Sequence, residues 1–330
     1  MQTPFKKRVA VIGAGIAGLS CASRLQEMGF DVEVFEKSRG PSGRMSTRQG
    51  NGWAADHGAQ YFTARDPLFL HNLKAWIEGG VVSSWHPKIG LFEDGQWHES
   101  SSDEKRYVAN PGMNALGKFL AGDLIVHLNQ TIDQLISIKD QWQLSSKESG
   151  PINSTFNYII LAIPAPQVVA LAKKLPSEVE SVCAAVDMDG CWTVMARFNE
   201  KPPFPFDATF VNGEIISWIC RNHSKPDRSG KESWTIHASP SWSQENIELD
   251  AADVNRQLLE CARNLGLDCR GAEISTHRWR YASGYSKANP EFIFIPKFYL
   301  GLCGDWLNGG RVEGAWLSGR KLADQIIGTN

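Results

Sequence analysis

The chain has 330 residues, which at roughly 150 residues per domain suits about two domains, each large enough to bury a core. Hydrophobic residues make up 42% and charged residues 21%, near the globular norm, which excludes disorder and collagen-like repeats. With 34 Lys and Arg against 36 Asp and Glu the formal charge is −2, so no summed field draws the chain to nucleic acid or to an anionic membrane. The apolar run 158–172 is shorter than a bilayer span and is broken by Pro164, Pro166 and Gln167, so no membrane span is expected. Residues 1–8 lack the apolar stretch and small-residue cleavage site of a secretory signal, and a cytoplasmic location is expected. The seven cysteines are scattered, odd in number and never spaced C-x-x-C. That pattern argues for buried free thiols rather than a disulfide framework, and no metal site is expected.

The first element is the β-branched run Arg8-Val9-Ala10-Val11-Ile12, which reads as a buried parallel strand. It runs straight into Gly13-Ala14-Gly15-Ile16-Ala17-Gly18. A helix is expected next, with Leu19, Ala22, Leu25 and Met28 at helical spacing and Gly29 as its stop. A second strand, Asp31-Val32-Glu33-Val34-Phe35, ends at Glu36. Strand, glycine turn, helix, strand and acid in this order form the dinucleotide-binding unit. Gly13 permits the tight turn, Gly15 lets backbone approach a pyrophosphate, and Gly18 lets helix and strand pack closely. Ile16 and Ala17 then open a helix whose unpaired N–H groups face the phosphates, while Glu36 is placed to accept from ribose hydroxyls.

Farther along, Leu124 to Leu128 and Tyr158 to Ala162 read as further strands, the second followed by Ile163-Pro164. Near the end, Phe298 to Cys303 reads as a strand leading into Gly304-Asp305-Trp306. The glycine loop Gly309-Gly310-Arg311-Val312-Glu313-Gly314-Ala315 and a helix from Trp316 to Ile327 follow. A strand, a glycine loop and a helix N-terminus make a second turn that stabilises negative charge. Between these ends, Trp192 to Phe198 and Trp234 to Ala238 alternate like antiparallel strands. A helix near 250–265, with Val254, Leu258 and Ala262 on one face, is expected to cross them.

The segment Lys37-Ser38-Arg39-Gly40-Pro41-Ser42-Gly43-Arg44-Met45 after the acid is similar to the second fingerprint of the FAD family that includes the amine oxidases. The C-terminal turn resembles that superfamily's closing FAD motif. Longer strings narrow the resemblance to the renalase family, in particular its bacterial branch. They are Gly58-Ala59-Gln60-Tyr61-Phe62-Thr63-Ala64-Arg65-Asp66, Asn110-Pro111-Gly112-Met113, Arg221-Asn222-His223-Ser224-Lys225-Pro226 and His277-Arg278-Trp279-Arg280-Tyr281-Ala282. The chain departs from that branch at Asp56-His57, where His57 reads first as a packed histidine and second as a residue near the flavin.

The resemblance implies an α/β FAD-binding domain with a discontinuous antiparallel-sheet substrate domain. The cofactor domain is expected over 1–74, 107–170 and 297–330, and the substrate domain over 75–106 and 171–296. It implies noncovalent FAD, because no cysteine lies between Arg270 and Leu302, where flavinylated amine oxidases carry theirs. The cofactor residues it implies are Gly13, Gly15, Ile16, Ala17, Gly18, Glu36, Lys37, Gly43, Arg44, Met45, Ala59, Gln60, Tyr61 and Phe62. They continue with Ile132, Ala162, Pro164, Gly304, Asp305, Arg311, Val312, Glu313 and Ala315.

The activity implied is oxidation of 1,2- and 1,6-dihydro isomers of NAD(P)H to NAD(P)+, with dioxygen reduced to hydrogen peroxide. Such a dihydropyridine expels hydride with its own nitrogen lone pair, so no protein base is expected, and no catalytic residue is named. Pocket candidates are Gln60 for an amide, with Tyr61, Trp218, Trp234, Trp242, His277 and Tyr281. His277, Arg278 and Arg221 read either as phosphate contacts or as solvated charges. An amine or polyene oxidase on the same scaffold, and a flavoprotein without turnover, stay open as alternatives. The partners expected are a small dinucleotide substrate and dioxygen.

Overall fold

Val9, Ala10 and Val11 are all fully buried, so their strand must lie inside a sheet covered on both faces. The computed structural model describes residues 6–171, 177–284 and 290–329. In it, strand Arg8–Ile12 pairs in parallel with Asp31–Glu36 on one side and Tyr158–Leu161 on the other. Ile125–Leu128 and Leu300–Leu302 extend the parallel sheet outwards, and Ile293–Ile295 closes one edge antiparallel. That edge strand lies on the substrate side of the boundary expected at 297, yet it belongs to this sheet. The expected strand from Phe298 is shorter at its start, because Pro296–Phe298 forms a turn and Tyr299 takes a left-handed φ of 50°.

Helix Ile16–Glu27 follows the first strand and is stopped by Gly29 at φ 87°. Met28, expected on its apolar face, is instead an exposed cap residue, because the buried stripe ends at Leu25. The final helix, Val312–Gly328, starts four residues before Trp316 and lies directly on the first helix. A Cβ on Gly319 would stand 2.0 Å from the Ala17 carbonyl oxygen, so only glycine allows that contact. This packing brings the two ends of the chain to one place.

Seven strands form a second sheet in the order Glu273–Ser283, Asp189–Phe198, Glu232–Ala238, Ile216–Arg221, Ala208–Val211, Ile89–Glu93 and Gln96–Glu99. Helix Ala251–Asn264 covers it with Val254, Leu258 and Ala262 buried, and Asp250 caps the helix by accepting from the Ala252 and Asp253 N–H groups. A three-stranded meander over 132–156 packs Leu135, Trp142, Leu144 and Phe156 against the parallel sheet. Among the described residues no helix is long and apolar enough to cross a membrane.

Candidate active site

The first glycine turn is built by close contacts. Gly13 has φ 103°, and a Cβ there would lie 2.5 Å from the Ala162 carbonyl oxygen; one on Gly18 would lie 2.1 Å from the Gly13 oxygen. Gly15 differs. A Cβ added to it meets nothing within 4 Å, because it faces a cleft of about 2010 Å³. The helix starting at Ile16 has no side-chain cap at Gly15, so its first-turn N–H groups are left for a ligand.

The second motif lies on the first. Ser42 donates its N–H to the Ala14 carbonyl at 2.8 Å, and a Cβ on Gly43 would come within 3.1 Å of the Gly15 Cα. Ser42 holds φ 106°, a costly value for a residue with a side chain, and its hydroxyl donates to the Asn114 carbonyl at 2.8 Å. Glu36 is buried at the end of its strand. Its two oxygens accept from the Ala14 and Ser38 N–H groups, each at 2.8 Å, and each keeps further acceptor capacity.

From the other end of the chain, Gly304 donates to the Ser318 hydroxyl at 3.0 Å, which seats the turn on the last helix. Asp305 pairs with the Arg44 guanidinium, which also donates to the Ala282 carbonyl at 3.1 Å. The last helix begins at Arg311, again with no side-chain cap. Two helix N-termini therefore open onto one cleft.

Lys37, Met45, Ala59, Ile132, Ala162, Pro164, Val312 and Ala315 line the same cleft, as do Ile16, Ala17, Gly43 and Gly304. Three expected cofactor residues do not. Gly18 sits under the turn as a packing contact, and Phe62 is buried edge-on against Phe69. Glu313 accepts from the Arg65 and Asp66 N–H groups at 2.6 and 2.7 Å, tying segment 58–66 to the last helix.

The cleft continues onto the seven-stranded sheet. Tyr61 lies 5.9 Å from Trp85 and 5.7 Å from Trp218, and Phe210 stands 4.8 Å from Trp218. His57 stacks on Trp279 at 5.1 Å, while His277 meets both rings edge-on, at 4.9 and 4.4 Å. His57 is packed, as expected, and it also lines the cleft. Tyr281 and Arg278 line it too, but Arg278 is tied to Glu248 at 3.1 Å.

Several candidates are elsewhere. Trp234 is fully buried in the core beneath the sheet, edge-on to Phe204. Trp242 packs against that same core and lines a separate surface pocket. Arg221 is held by Glu232 at 2.8 Å, off the cleft. Gln60 lines the cleft, but its amide donates to the Asp56 and Gly58 carbonyls at 2.6 and 3.0 Å and accepts from Lys225 at 3.1 Å. Its polar atoms hold the loop together, so reading a substrate amide is not their use.

Burial pushes His57 down to about 3, reinforced by its neighbours His277, Arg48 and His237 against the opposing pull of Asp56. Burial likewise lowers His237 and His277 to about 4, with Arg48 adding to the effect on His277. All three histidines are thus neutral at pH 7. Behind them Asp56 is wholly buried. Burial raises its pKa, yet Lys225 at 3.1 Å, Arg228 at 2.7 Å and the Thr47 and Met113 hydrogen bonds outweigh this and hold it at about 2.

The sequence assigns no site role to Arg48, His237 or this buried triad, although Asp56 and Lys225 stand in segments compared with the renalase family and His237 in an expected strand. In strand Glu232–Ala238, Trp234 and Ile236 face the core, so alternation turns Thr235 and His237 to the other side, where they donate to the Asp56 and His57 carbonyls.

A sequence-family model described as NAD(P)-binding Rossmann-like domain matches residues 11–75. The chain is similar to the zeta-carotene-forming phytoene desaturase of Myxococcus xanthus, 50% identical over 52 residues, 16% of this chain and 10% of that protein. It is 34% identical over 107 residues to protoporphyrinogen oxidase 2 of Arabidopsis thaliana, covering 32% of this chain and 18% of that one. Coproporphyrinogen III oxidase of Staphylococcus aureus is 29% identical over 144 residues, 40% of this chain and 31% of that enzyme. The chain thus spans less than a third of the length of these curated relatives.

Among solved structures, a protein assigned as a protoporphyrinogen oxidase from Exiguobacterium sp. 255-15 superposes with a TM-score of 0.80 at 12% identity, over 98% of this chain and 99% of that one. Cyclohexylamine oxidase from Brevibacterium oxydans gives 0.76 at 13% identity, with coverage of 98% and 99%. The architecture is the FAD-binding fold of the amine oxidases and protoporphyrinogen oxidases. An FAD suits what the cleft offers: a bare Gly15 cradle, Glu36 at one end, Asp305 at the other and two uncapped helix N-termini between.

Proposed function

We propose that this chain is a renalase-like FAD-dependent oxidase of isomeric dihydronicotinamide dinucleotides. The observation that carries this reading is the charge on the substrate wall. The cleft residues contributed by the seven-stranded sheet and by 46–61 include Arg48, Arg278 and Arg280 and no carboxylate; Arg278 and Arg280 share the single carboxylate of Glu248 outside the cleft, so the wall keeps a net positive charge, centred on Arg48. Such a wall suits a substrate bearing phosphates, and it offers no counter-charge to an ammonium ion.

When bound, FAD would take a hydride from the dihydropyridine and pass two electrons to dioxygen, which leaves as hydrogen peroxide. In this reading the protein positions and shields. Gly15, the helix at Ile16 and Glu36 hold the diphosphate and ribose, and Asp305 with Arg44 receives the ribitol. The uncapped helix start at Arg311 favours negative charge on the pyrimidine end of the ring system. Tyr61, Phe210, Trp218 and Trp279 present flat apolar faces for a second ring and exclude water. No side chain has to remove a proton, which agrees with the three histidines on that wall being weak bases, at about 3, 4 and 4.

The volume of about 2010 Å³ exceeds the usual 300–1,000 Å³ of a single-ligand pocket. There is room for cofactor and substrate together. Anaerobic mixing of the FAD-loaded protein tests the proposal. Bleaching of the flavin by 1,2- or 1,6-dihydro-NAD(P), and not by putrescine or cyclohexylamine, is expected. Bleaching by the amines and not by the dihydronicotinamides would overturn it.

A further inference from the structure

We infer that Arg48 is the substrate's phosphate anchor, the residue that makes the site prefer a nucleotide over a phosphate-free dihydronicotinamide riboside. The inference rests on the function proposed above. Arg48 stands on strand Thr47–Gly50, is half-buried and lines the cleft. Among the described residues no carboxylate lies within ion-pair distance of it. Its recorded side-chain partner is the Nδ1 of His277, 3.4 Å away, and that imidazole is held neutral.

Among the described residues, Arg39 and Arg311, the other arginines of the cleft outside any ion pair, are exposed to solvent, whereas the arginines nearer to Arg48 are paired. Arg44 is neutralised by Asp305, Arg197 meets Glu273, and Arg278 and Arg280 share Glu248. Arg48 instead faces an aromatic and histidine wall with its charge uncompensated, and that charge helps keep His57 and His277 unprotonated. A half-buried cation in this setting gains most from an anion brought by the ligand, and a guanidinium fork matches two phosphate oxygens. The wall already supplies stacking faces for the nicotinamide, in Trp279 and Trp218. The phosphates that follow the ribose are therefore the groups left for Arg48. His277, edge-on to Trp279 and in contact with Arg48, acts as a positioning residue for the guanidinium.

The experiment compares wild-type, Arg48→Ala and Arg48→Lys holoenzymes. Flavin reduction is followed anaerobically with 1,2-dihydro-NAD and with 1,2-dihydronicotinamide riboside, and binding of NAD+ and of inorganic pyrophosphate is measured by calorimetry. Arg48→Ala should weaken half-saturation by the dinucleotide, and the binding of NAD+, by about tenfold or more. The saturating reduction rate and the response to the riboside should stay within about twofold, and Arg48→Lys should recover part of the loss. Equal losses for dinucleotide and riboside, or unchanged NAD+ binding, would overturn the assignment. If no dihydronicotinamide reduces the wild-type flavin, the functional reading fails, and pyrophosphate still decides on Arg48. Binding weakened about tenfold in Arg48→Ala supports an anion site there, and equal binding to both proteins refutes it.

Discussion

Glu36 and Asp56 are both buried carboxylates, and they are buried for different ends. Glu36 accepts two backbone N–H bonds at the rim of the cleft, where a ribose can still reach it. Glu36→Ala should therefore leave the fold intact and weaken FAD by about tenfold or more, read by fluorescence quenching on titration. Asp56 touches nothing outside the protein. It neutralises Lys225 and Arg228, whose side chains are 0% and 1% exposed, and so joins strand Trp53–Asp56 to segment 221–228. Replacing Asp56 by Ala strands two buried cations, and a loss of about 3–5 kcal/mol in denaturant unfolding is expected. A loss below about 1 kcal/mol would show that the triad is not what holds these segments together. This triad was illegible in the sequence because Asp56 and Lys225 are 169 positions apart and no local pattern pairs them.

Among the elements, the glycine turns can be separated by what a methyl group would strike. Gly18→Ala forces a Cβ against the Gly13 backbone, so destabilisation of about 1–3 kcal/mol is expected with or without cofactor. Gly15→Ala meets open space, at φ −72°, and should unfold within about 1 kcal/mol of wild type while losing FAD. Thermal unfolding of both variants, with and without FAD, separates the two roles. These turns were readable because each is a local string with a fixed spacing. The tryptophans were not. Trp218 and Trp234 lie on neighbouring strands of one sheet, yet Trp218 lines the cleft and Trp234 fills the core. Which sheet face meets the cofactor domain is decided by tertiary packing, and composition carries no trace of it. Arg48 escaped notice for a related reason: it becomes a site residue only where Glu273–Ser283 brings His277 against it.

For the molecule as a whole, the cleft wall sets a pH dependence. His57, His237 and His277 have folded pKa values of about 3, 4 and 4, below the ordinary 6.5, so the unfolded chain binds protons that the folded one refuses. Their contribution is complete above pH 6.5 and is lost as pH falls towards 4; that of Asp56 is lost only below 3.8, towards 2. The melting temperature should thus drop steadily between pH 6.5 and 4, and His237→Asn should flatten that slope. A melting temperature constant across this range would contradict the placing of these rings.

The meeting of the chain's two ends was foreseeable from the two separated glycine motifs, since one ligand cannot be held by turns that stay apart. The claim that they close on one FAD is tested most directly by titrating the folded, cofactor-free protein with FAD and recording the visible spectrum. One FAD bound per chain, with the flavin bands shifted and the binding lost in Gly15→Ala, is the predicted result. A folded protein that leaves the spectrum of added FAD unchanged would contradict it.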